Sequence, residues 1–304
     1  MRRVPIRRGW RVLATVGLGL SLILPSQFLG SPATAVPAVT AAPAGGSVPS
    51  RGRYLSLGDS LAAGYQPAHD GQAAGDDPTG GYTGVVNAGL SERGQPMRTT
   101  NLACSGETAR TMIAGGQCTY PEGSQLAAAR SFLRRHHDTR LITVTIGAND
   151  VRACLAGNGI DIACAERELD AVGRNLEVIL ATVHRAAPRA RLVVLDYYNP
   201  YLAARLNGPD GRQLAIAASK VQTRLNTLIR RAAADRGART ARVAAAFDSR
   251  DVRQVELPGV GEVPRNVARI CTWTWMCSVH DIHANAAGYD IMGKAVLNRL
   301  DDTR

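Results

Sequence analysis

Residues 54–61 read Tyr-Leu-Ser-Leu-Gly-Asp-Ser-Leu, and this stretch decides the fold. The alternation over 54–57 predicts a short β-strand, and the glycine and aspartate after it predict a tight turn into a helix. Such a turn presents Ser60 at the edge of a sheet, where a nucleophile can reach a substrate. The same residues also suit an ordinary turn or a helix N-cap, so their interpretation depends on the rest of the chain.

Short apolar runs alternate with longer helical repeats along the chain. Strands are predicted at 53–57, 98–102, 141–146 and 191–195, with a weaker, alanine-rich strand at 240–247. Helices are predicted at about 165–186 and 213–235, and a last helix begins near Asn285, a favourable N-cap. This alternation predicts one α/β domain with a central parallel sheet of about five strands. In such sheets, ligands bind beyond the carboxyl ends of the strands.

An acyl-transfer site at that edge needs a base for the serine and donors for the oxyanion. Gly106 follows the second predicted strand, Asn149 follows the third, and His283 precedes the last helix. We expect His283 to be the base, and the Ser60 N–H, the Gly106 N–H and the Asn149 amide to bind the oxyanion. Each residue also has an explanation without a function. Gly106 can serve only the backbone geometry of its turn, Asn149 can cap a helix, and His283 can be an exposed loop residue. Their joint occurrence at matching strand ends favours the active-site interpretation.

Four blocks of sequence, in this order, resemble the SGNH (GDSL-type) hydrolases. They are Gly-Asp-Ser-Leu at 58–61, Asn-Leu-Ala-Cys-Ser-Gly at 101–106, Gly-Ala-Asn-Asp at 147–150, and Asp281 with His283. The resemblance covers residues 53–300 and is closest to the secreted, three-disulfide esterases and lipases of the family. It implies a flavodoxin-like three-layer αβα sandwich, Ser60 as nucleophile, His283 as base, and Gly106 and Asn149 as oxyanion donors. It also implies that no metal or organic cofactor is needed.

The group that orients His283 departs from the family pattern. The family often has an aspartate three residues before the histidine, but His280 occupies that position here and Asp281 lies two residues before. Something must hold the imidazole in the correct tautomer and stabilise its charged form. Either Asp281 or a backbone carbonyl near position 280 can do so, and we favour Asp281.

The cysteines indicate disulfides. An even number in an exported chain is typical of them, although six cysteines allow fifteen pairings. Their spacing falls into three local couples, and we predict the pairs Cys104–Cys118, Cys154–Cys164 and Cys271–Cys277. This pairing is similar to that of the secreted family members. Zinc ligation is the alternative, but no Cys-x-x-Cys pair or matching histidine spacing supports it.

The N-terminus has the order of a secretory signal peptide. Five arginines precede an apolar run at 12–24, and small residues at 31–35 offer a cleavage site. We predict a signal peptide at 1–35, a flexible linker at 36–52 and the hydrolase domain at 53–304. The protein is therefore expected to be secreted, to the extracellular space or the cell envelope. Cleavage lowers the formal charge from +11 to +6, because it removes five arginines and no acid.

The aromatic residues near His283 have two interpretations. Trp273 and Trp275 lie between Cys271 and Cys277, directly before the predicted base. A loop that is closed by a disulfide and rich in aromatic residues can form the wall of an acyl pocket at this position and bind substrate. It can equally pack under the last helix.

Together these features predict a serine esterase or lipase that acts through an acyl-enzyme. Its substrate is expected to be a lipid, a small ester or an acetylated glycan, and the enzyme is expected to be a monomer. O-deacetylation of a carbohydrate or cell-wall polymer is the alternative at the same site, and a non-catalytic envelope-binding protein is the alternative of another class. The basic charge suits solvated helix faces and allows weak contact with anionic envelope surfaces. No motif indicates nucleic-acid binding.

Overall fold

The computed structural model describes residues 50–156 and 159–301. The predicted signal peptide and residues 36–49 of the predicted linker lie outside the described residues. Within the described ranges, no helix is both long enough and apolar enough to cross a lipid bilayer.

A five-stranded parallel sheet forms the centre of the domain. The strands of the described chain are β1 (Arg53–Gly58), β2 (Arg98–Asn101), β3 (Thr139–Thr145), β4 (Leu155–Ala156), β5 (Gly159–Ile160), β6 (Arg191–Leu195), β7 (Arg239–Ala241), β8 (Gln254–Leu257) and β9 (Gly261–Pro264). The sheet has the order β2-β1-β3-β6-β7, and β4–β5 and β8–β9 are two small antiparallel hairpins. The predicted α/β class and central parallel sheet are confirmed.

Helices follow most of the sheet strands. They are α1 (Ser60–Ala63), α2 (Gly81–Glu92), α3 (Ala109–Ala114), α4 (Gln125–Arg135), α5 (Ala148–Arg152), α6 (Ile162–Ala186), α7 (Gly208–Ala234), α8 (Val243–Ala246), α9 (Arg265–Trp273) and α10 (Ala286–Asp301), with a 3-10 helix (Pro200–Asn207) before α7. The three long predicted helices are confirmed. Helix α6 begins earlier than predicted because the Asp161 carboxylate accepts the Cys164 N–H and caps it. Asn285 caps α10 as predicted, since its side chain accepts the Gly288 N–H at 3.1 Å.

The fifth predicted strand, at 240–247, is wrong beyond residue 241. Strand β7 ends at Ala241, and the alanine-rich run after it forms the short helix α8. The Asp196 carboxylate accepts the Ala244 N–H at 2.9 Å at the start of that helix. A side chain distant in sequence therefore supports a helical turn that the local pattern alone did not indicate.

The side chains of the central strands alternate between two helical layers. On one face the Ser56 and Thr83 hydroxyls lie 3.0 Å apart, and the Tyr82 and Thr145 hydroxyls lie 2.8 Å apart, so this face meets α2. Leu55 and Leu57 project to the opposite face because side chains alternate along a strand. Helix α2 packs against α10, whereas α6 packs against α3, α4 and α7. The three-layer arrangement agrees with the one that the family resemblance implies.

Three disulfides close local loops, and all three predicted pairs are confirmed. They are Cys104–Cys118, Cys154–Cys164 and Cys271–Cys277. Loops of this length contribute roughly 2–3 kcal/mol each in the chain-entropy model. The second disulfide ties the start of α6 to the β4–β5 hairpin, and the third joins α9 to the segment before His283.

Gly58 lies at the end of β1, where no larger residue fits. Its φ of 140° belongs to the region that favours glycine. A Cβ atom at this position would lie 2.1 Å from the Thr145 carbonyl oxygen on the neighbouring strand β3. The close approach of the two strands therefore requires glycine immediately before Asp59 and Ser60.

We predict that Gly58→Ala lowers the free energy of unfolding by at least about 3 kcal/mol, because both the backbone angle and the contact with β3 oppose a Cβ. The matched control is Gly71→Ala, which has a φ of 80° but no atom within 4 Å of the added Cβ. That control is expected to lose only about 1 kcal/mol. Urea unfolding followed by circular dichroism measures both values, and equal losses would contradict the role given to the Thr145 contact.

Candidate active site

Ser60, His283 and Asp281 form a continuous hydrogen-bonded chain. The Ser60 Oγ lies 2.7 Å from the His283 Nε2, and the His283 Nδ1 lies 2.6 Å from the Asp281 Oδ1. Ser60 and His283 are both buried, whereas Asp281 is partly exposed. The structure thus brings together the three residues to which the sequence assigned catalysis, and it puts a carboxylate, not a backbone carbonyl, on the Nδ1.

Ser60 is held at the first residue of α1, directly after β1. The Asp59 carboxylate caps this helix by accepting the Leu61 N–H, and its other oxygen accepts the Tyr197 hydroxyl at 2.6 Å. Burial raises the pKa of Asp59 to about 6, although the hydrogen bond from Tyr197 opposes the rise. Because the N–H groups of a first helical turn have no intrahelical acceptor, the Ser60 N–H is available to an oxyanion.

His283 lies in a segment that several backbone contacts fix. Its carbonyl accepts the Trp275 N–H at 3.0 Å, and the Tyr198 hydroxyl donates to the carbonyl of the preceding Ile282 at 2.7 Å. The Tyr65 ring lies against the imidazole, with ring centroids 4.4 Å apart. These contacts hold the ring in place between Ser60 and Asp281.

Asp281 accepts two hydrogen bonds from the same residue. Its Oδ1 accepts the His283 backbone N–H at 2.9 Å as well as contacting the ring nitrogen. Partial burial raises the pKa of Asp281, but these hydrogen bonds and the nearby Arg152 outweigh burial, so its pKa lies below the usual value. The Asp281 carboxylate is therefore ionised at any pH at which a serine hydrolase normally works.

The proposed oxyanion donors Gly106 and Asn149 lie on the loop before α3 and at the start of α5, and these two segments are bonded to each other. The Asn149 side chain donates to the Glu107 carbonyl at 2.9 Å, and the buried Asp150 carboxylate accepts the Ala109 N–H at the same distance. One amide hydrogen of Asn149 remains for a ligand. Gly106 has a φ of 81°, and no described residue accepts a hydrogen bond from its N–H. Both predicted donors are thus positioned next to the carboxyl ends of β1 and β3.

A buried polar network behind Ser60 was not predicted from the sequence. Gln125 accepts the Gly58 N–H at 2.6 Å and donates to the Gly58 carbonyl at 3.0 Å. The same side chain donates to the buried Glu107 carboxylate, whose pKa burial raises. Gln125 thus connects the serine turn with the Gly106 loop. No local pattern marks Gln125, because its partners are distant in sequence.

A largely apolar cleft of about 700 Å³ opens beside Ser60. Besides Ser60, Asn149 and His283, its walls come from the β4–β5 hairpin, the 3-10 helix and α7. The apolar side chains that the sequence did not identify include Val151, Leu155, Ile160, Pro200, Tyr201 and Val221. They could not be found locally, since four separate segments contribute them: α5, the β4–β5 hairpin, the 3-10 helix and α7.

The two tryptophans do not line this cleft, so the structure does not support them as its wall. Trp273 is the last residue of α9, where Phe247 and the Arg269 guanidinium contact its ring. Trp275 donates to the Gln66 side chain at 2.8 Å and contacts the His69 ring. Both rings thus pack against neighbouring segments of the chain.

In the described part of the chain, no three His, Cys, Asp or Glu side chains are grouped so that they can hold a metal ion. The hydrogen-bonded chain from Asp281 to Ser60 can remove a proton from the serine hydroxyl. The neighbouring N–H groups can donate hydrogen bonds to the oxyanion that forms when the serine attacks a carbonyl. The arrangement is therefore chemically suited to acyl transfer.

Comparisons with known proteins agree with this geometry. Residues 56–291 match the model of the GDSL-like Lipase/Acylhydrolase family. A search of curated protein sequences found no significant match.

Solved structures share the fold at low sequence identity. A phospholipase A1 from Streptomyces albidoflavus NA297 is 22% identical with a TM-score of 0.50, covering 82% of this chain and 99% of its own. Axe2, an acetylxylan esterase from Geobacillus stearothermophilus, is 17% identical with a TM-score of 0.52, covering 84% and 96%. The lipase Lip_vut3 from a goat rumen metagenome is 16% identical with a TM-score of 0.53, covering 81% and 96%. Because the family model spans most of the domain, we conclude that the chain belongs to the GDSL-like lipase and acylhydrolase family of carboxylic ester hydrolases.

Proposed function

We propose that the protein is a secreted serine esterase or lipase that hydrolyses carboxylic esters through a covalent acyl-enzyme. The observation that carries this proposal is the unbroken hydrogen-bonded chain from Ser60 through His283 to Asp281. The three disulfides support export, because such bonds persist in oxidising compartments.

In the first half of the reaction, the Ser60 Oγ attacks the ester carbonyl carbon while its proton moves to the His283 Nε2. Asp281 stabilises the imidazolium, and the N–H groups of Ser60 and Gly106 and the Asn149 amide bind the oxyanion. When the tetrahedral intermediate collapses, His283 returns the proton to the leaving alcohol. Water then attacks the acyl-enzyme by the same sequence and releases the acid.

The cleft beside Ser60 favours substrates with an extended acyl chain. An acyl group bound to Ser60 would meet the apolar side chains of Leu155, Ile160 and Val221. Each buried CH₂ group contributes about 0.8 kcal/mol, so a longer chain gains binding energy that an acetyl group cannot. This supports an esterase or lipase over the alternative of carbohydrate O-deacetylation at the same site.

Covalent labelling tests the nucleophile and separates an enzyme from the non-catalytic envelope-binding alternative. We predict that a fluorophosphonate labels the wild-type protein, while Ser60→Ala abolishes both labelling and ester hydrolysis. The matched control Ser91→Ala, an exposed serine of α2, is expected to keep both. A correctly folded wild-type protein that is not labelled would favour the binding alternative.

The pH–rate profile of Asp281→Asn tests the orienting carboxylate. Because the pKa of Asp281 is lowered, protonation of this carboxylate is not expected to contribute to the acid limb of the wild-type profile. We predict that Asp281→Asn reduces kcat/KM by roughly 10²–10⁴-fold, as loss of the equivalent group does in serine proteases.

The control for that experiment is Asp290→Asn, a partly exposed aspartate of α10 that pairs with Lys294. It is expected to leave the profile unchanged. A near wild-type rate for Asp281→Asn would overturn the role given to this carboxylate.

The acyl cleft is tested by comparing acetyl, butyryl and octanoyl esters, together with an acetylated glycan. We predict that the wild-type enzyme prefers the longer acyl esters. Val221→Phe should reduce the octanoyl-to-acetyl ratio of kcat/KM about tenfold by filling the cleft. Val178→Phe, at an exposed position of α6, and Trp275→Ala should leave that ratio unchanged. A wild-type preference for the acetylated glycan would favour the deacetylase alternative.

A further inference from the structure

A second cavity, of about 970 Å³, lies beyond the carboxyl ends of β6 and β7. We call it the β6–β7 cavity. Its walls include Asp196, which directly follows β6, and Arg242, which directly follows β7, together with one side of α7. Tyr197 and Gln222 line both this cavity and the acyl cleft, so the two spaces are adjacent but distinct. In contrast to the acyl cleft, the β6–β7 cavity is rich in charged and polar side chains.

The acidic side chains of the cavity already have basic partners. The buried Asp196 pairs with Arg230 at 3.0 Å. Asp248 lies 3.1 Å from Arg265 and 3.0 Å from Arg269. Asp251 pairs with Arg253 and Arg265. No carboxylate of the lining is therefore left to attract a cation.

Two arginines of the lining have no such pairing. Arg242 and Arg250 are exposed, and neither side chain makes an ion pair or hydrogen bond with any residue that the structure describes. Burial raises the pKa of Asp196, and the positive charge of the nearby Arg242 opposes this rise. The lining itself holds three aspartates and three arginines. Arg253, Arg265 and Arg269 lie outside the lining and pair with two of these aspartates, so the cavity with its surroundings carries more positive than negative charge.

Neutral hydrogen-bonding groups lie beside these arginines. The Ser249 Oγ is buried and has no hydrogen-bond partner in the described part of the chain. The Thr223 hydroxyl also lines the cavity, and no described residue is bonded to it. An unpaired buried hydroxyl is costly, and a ligand that bonds to it removes that cost.

We propose that the β6–β7 cavity binds a phosphorylated polyol. Arginine guanidiniums match the geometry of phosphate oxygens, so Arg242 and Arg250 would hold the phosphate. Ser249, Thr223 and Gln222 would bond to the hydroxyl groups of the polyol. The same chemistry occurs in a free polyol phosphate and in the headgroup of a phosphatidylglycerol lipid. The location agrees with the rule that ligands of parallel α/β sheets bind beyond the carboxyl strand ends.

Isothermal titration calorimetry on the Ser60→Ala protein tests this site without turnover of a lipid. The probes are sn-glycerol 3-phosphate, inorganic phosphate, glycerol and dihexanoylphosphatidylglycerol below its micelle concentration, all at one fixed ionic strength. We expect saturable one-to-one binding of sn-glycerol 3-phosphate that is tighter than binding of inorganic phosphate, and no binding of glycerol. Tighter binding of the lipid would identify a headgroup as the source, whereas equal or weaker binding would identify a free polyol phosphate.

Substitutions locate the ligand. Arg242→Ala and Arg250→Ala are each expected to weaken binding at least about tenfold, since each removes a charge-assisted hydrogen bond. The matched control is Arg134→Ala, an exposed arginine of α4 outside the cavity, which should bind as tightly as the parent. All three positions are exposed, so the fold is expected to survive, and thermal unfolding checks this.

Three results would overturn the proposal. They are the lack of saturable binding, equal weakening by Arg134→Ala, and binding that survives both Arg242→Ala and Arg250→Ala. Equal affinity for inorganic phosphate would overturn the recognition of the polyol. Because every measurement is one of binding to a protein without Ser60, the outcome is independent of whether the proposed esterase activity is correct.

Discussion

The hydrogen bond between Ser60 and His283 is the interaction on which the proposed chemistry depends, and it joins residues separated by 223 positions. Ser60 follows the first strand of the sheet, whereas His283 precedes the last helix. The two meet because parallel strands bring their carboxyl ends to one edge, and because α10 packs back against α2 next to β1. The domain must therefore be fully folded before Ser60 meets the imidazole that we propose as its base. Under the proposed mechanism, ester hydrolysis is consequently a sensitive measure of native structure in this chain.

The turn that carries Ser60 is constrained from three directions. Gly58 allows β1 to approach β3 closely, Asp59 is bonded to Tyr197 after β6, and Gln125 of α4 bonds both backbone groups of Gly58. Buried polar groups are costly unless all their hydrogen bonds are made, so such a network favours one arrangement over its alternatives. The same network reaches Glu107, whose carbonyl holds Asn149. The proposed nucleophile and the proposed oxyanion donors are thus positioned by one set of contacts, and not by independent segments.

Helix α7 separates two environments of opposite character. Val221 faces the apolar cleft, Arg230 faces the charged β6–β7 cavity, and Gln222 lies at the boundary. Positions on one helix reach both spaces because successive residues turn by about 100° around its axis. An apolar acyl chain and a charged polyol phosphate would therefore be accommodated on adjacent sides of the same helix. Amphipathic lipids combine these two chemistries in one molecule.

The sequence by itself determined the α/β class, the central strands, the long helices and the three disulfide pairs. Strand and helix periodicities are local, and so is the spacing of the paired cysteines. It also determined which residues to test as nucleophile, base and oxyanion donors, since these follow strand ends that must share one edge. Only the tertiary structure decided that Asp281 contacts the His283 Nδ1, that Gln125 supports the serine turn, and that Leu155, Ile160 and Val221 form the cleft in place of Trp273 and Trp275. It also decided that the alanine-rich run after β7 is helical, because Asp196 caps it. The Asp281–His283 contact is local, but the orientation of the ring depends on the distant residues Ser60 and Tyr65. Each of the other features depends on contacts between segments far apart in the chain, which local patterns do not encode.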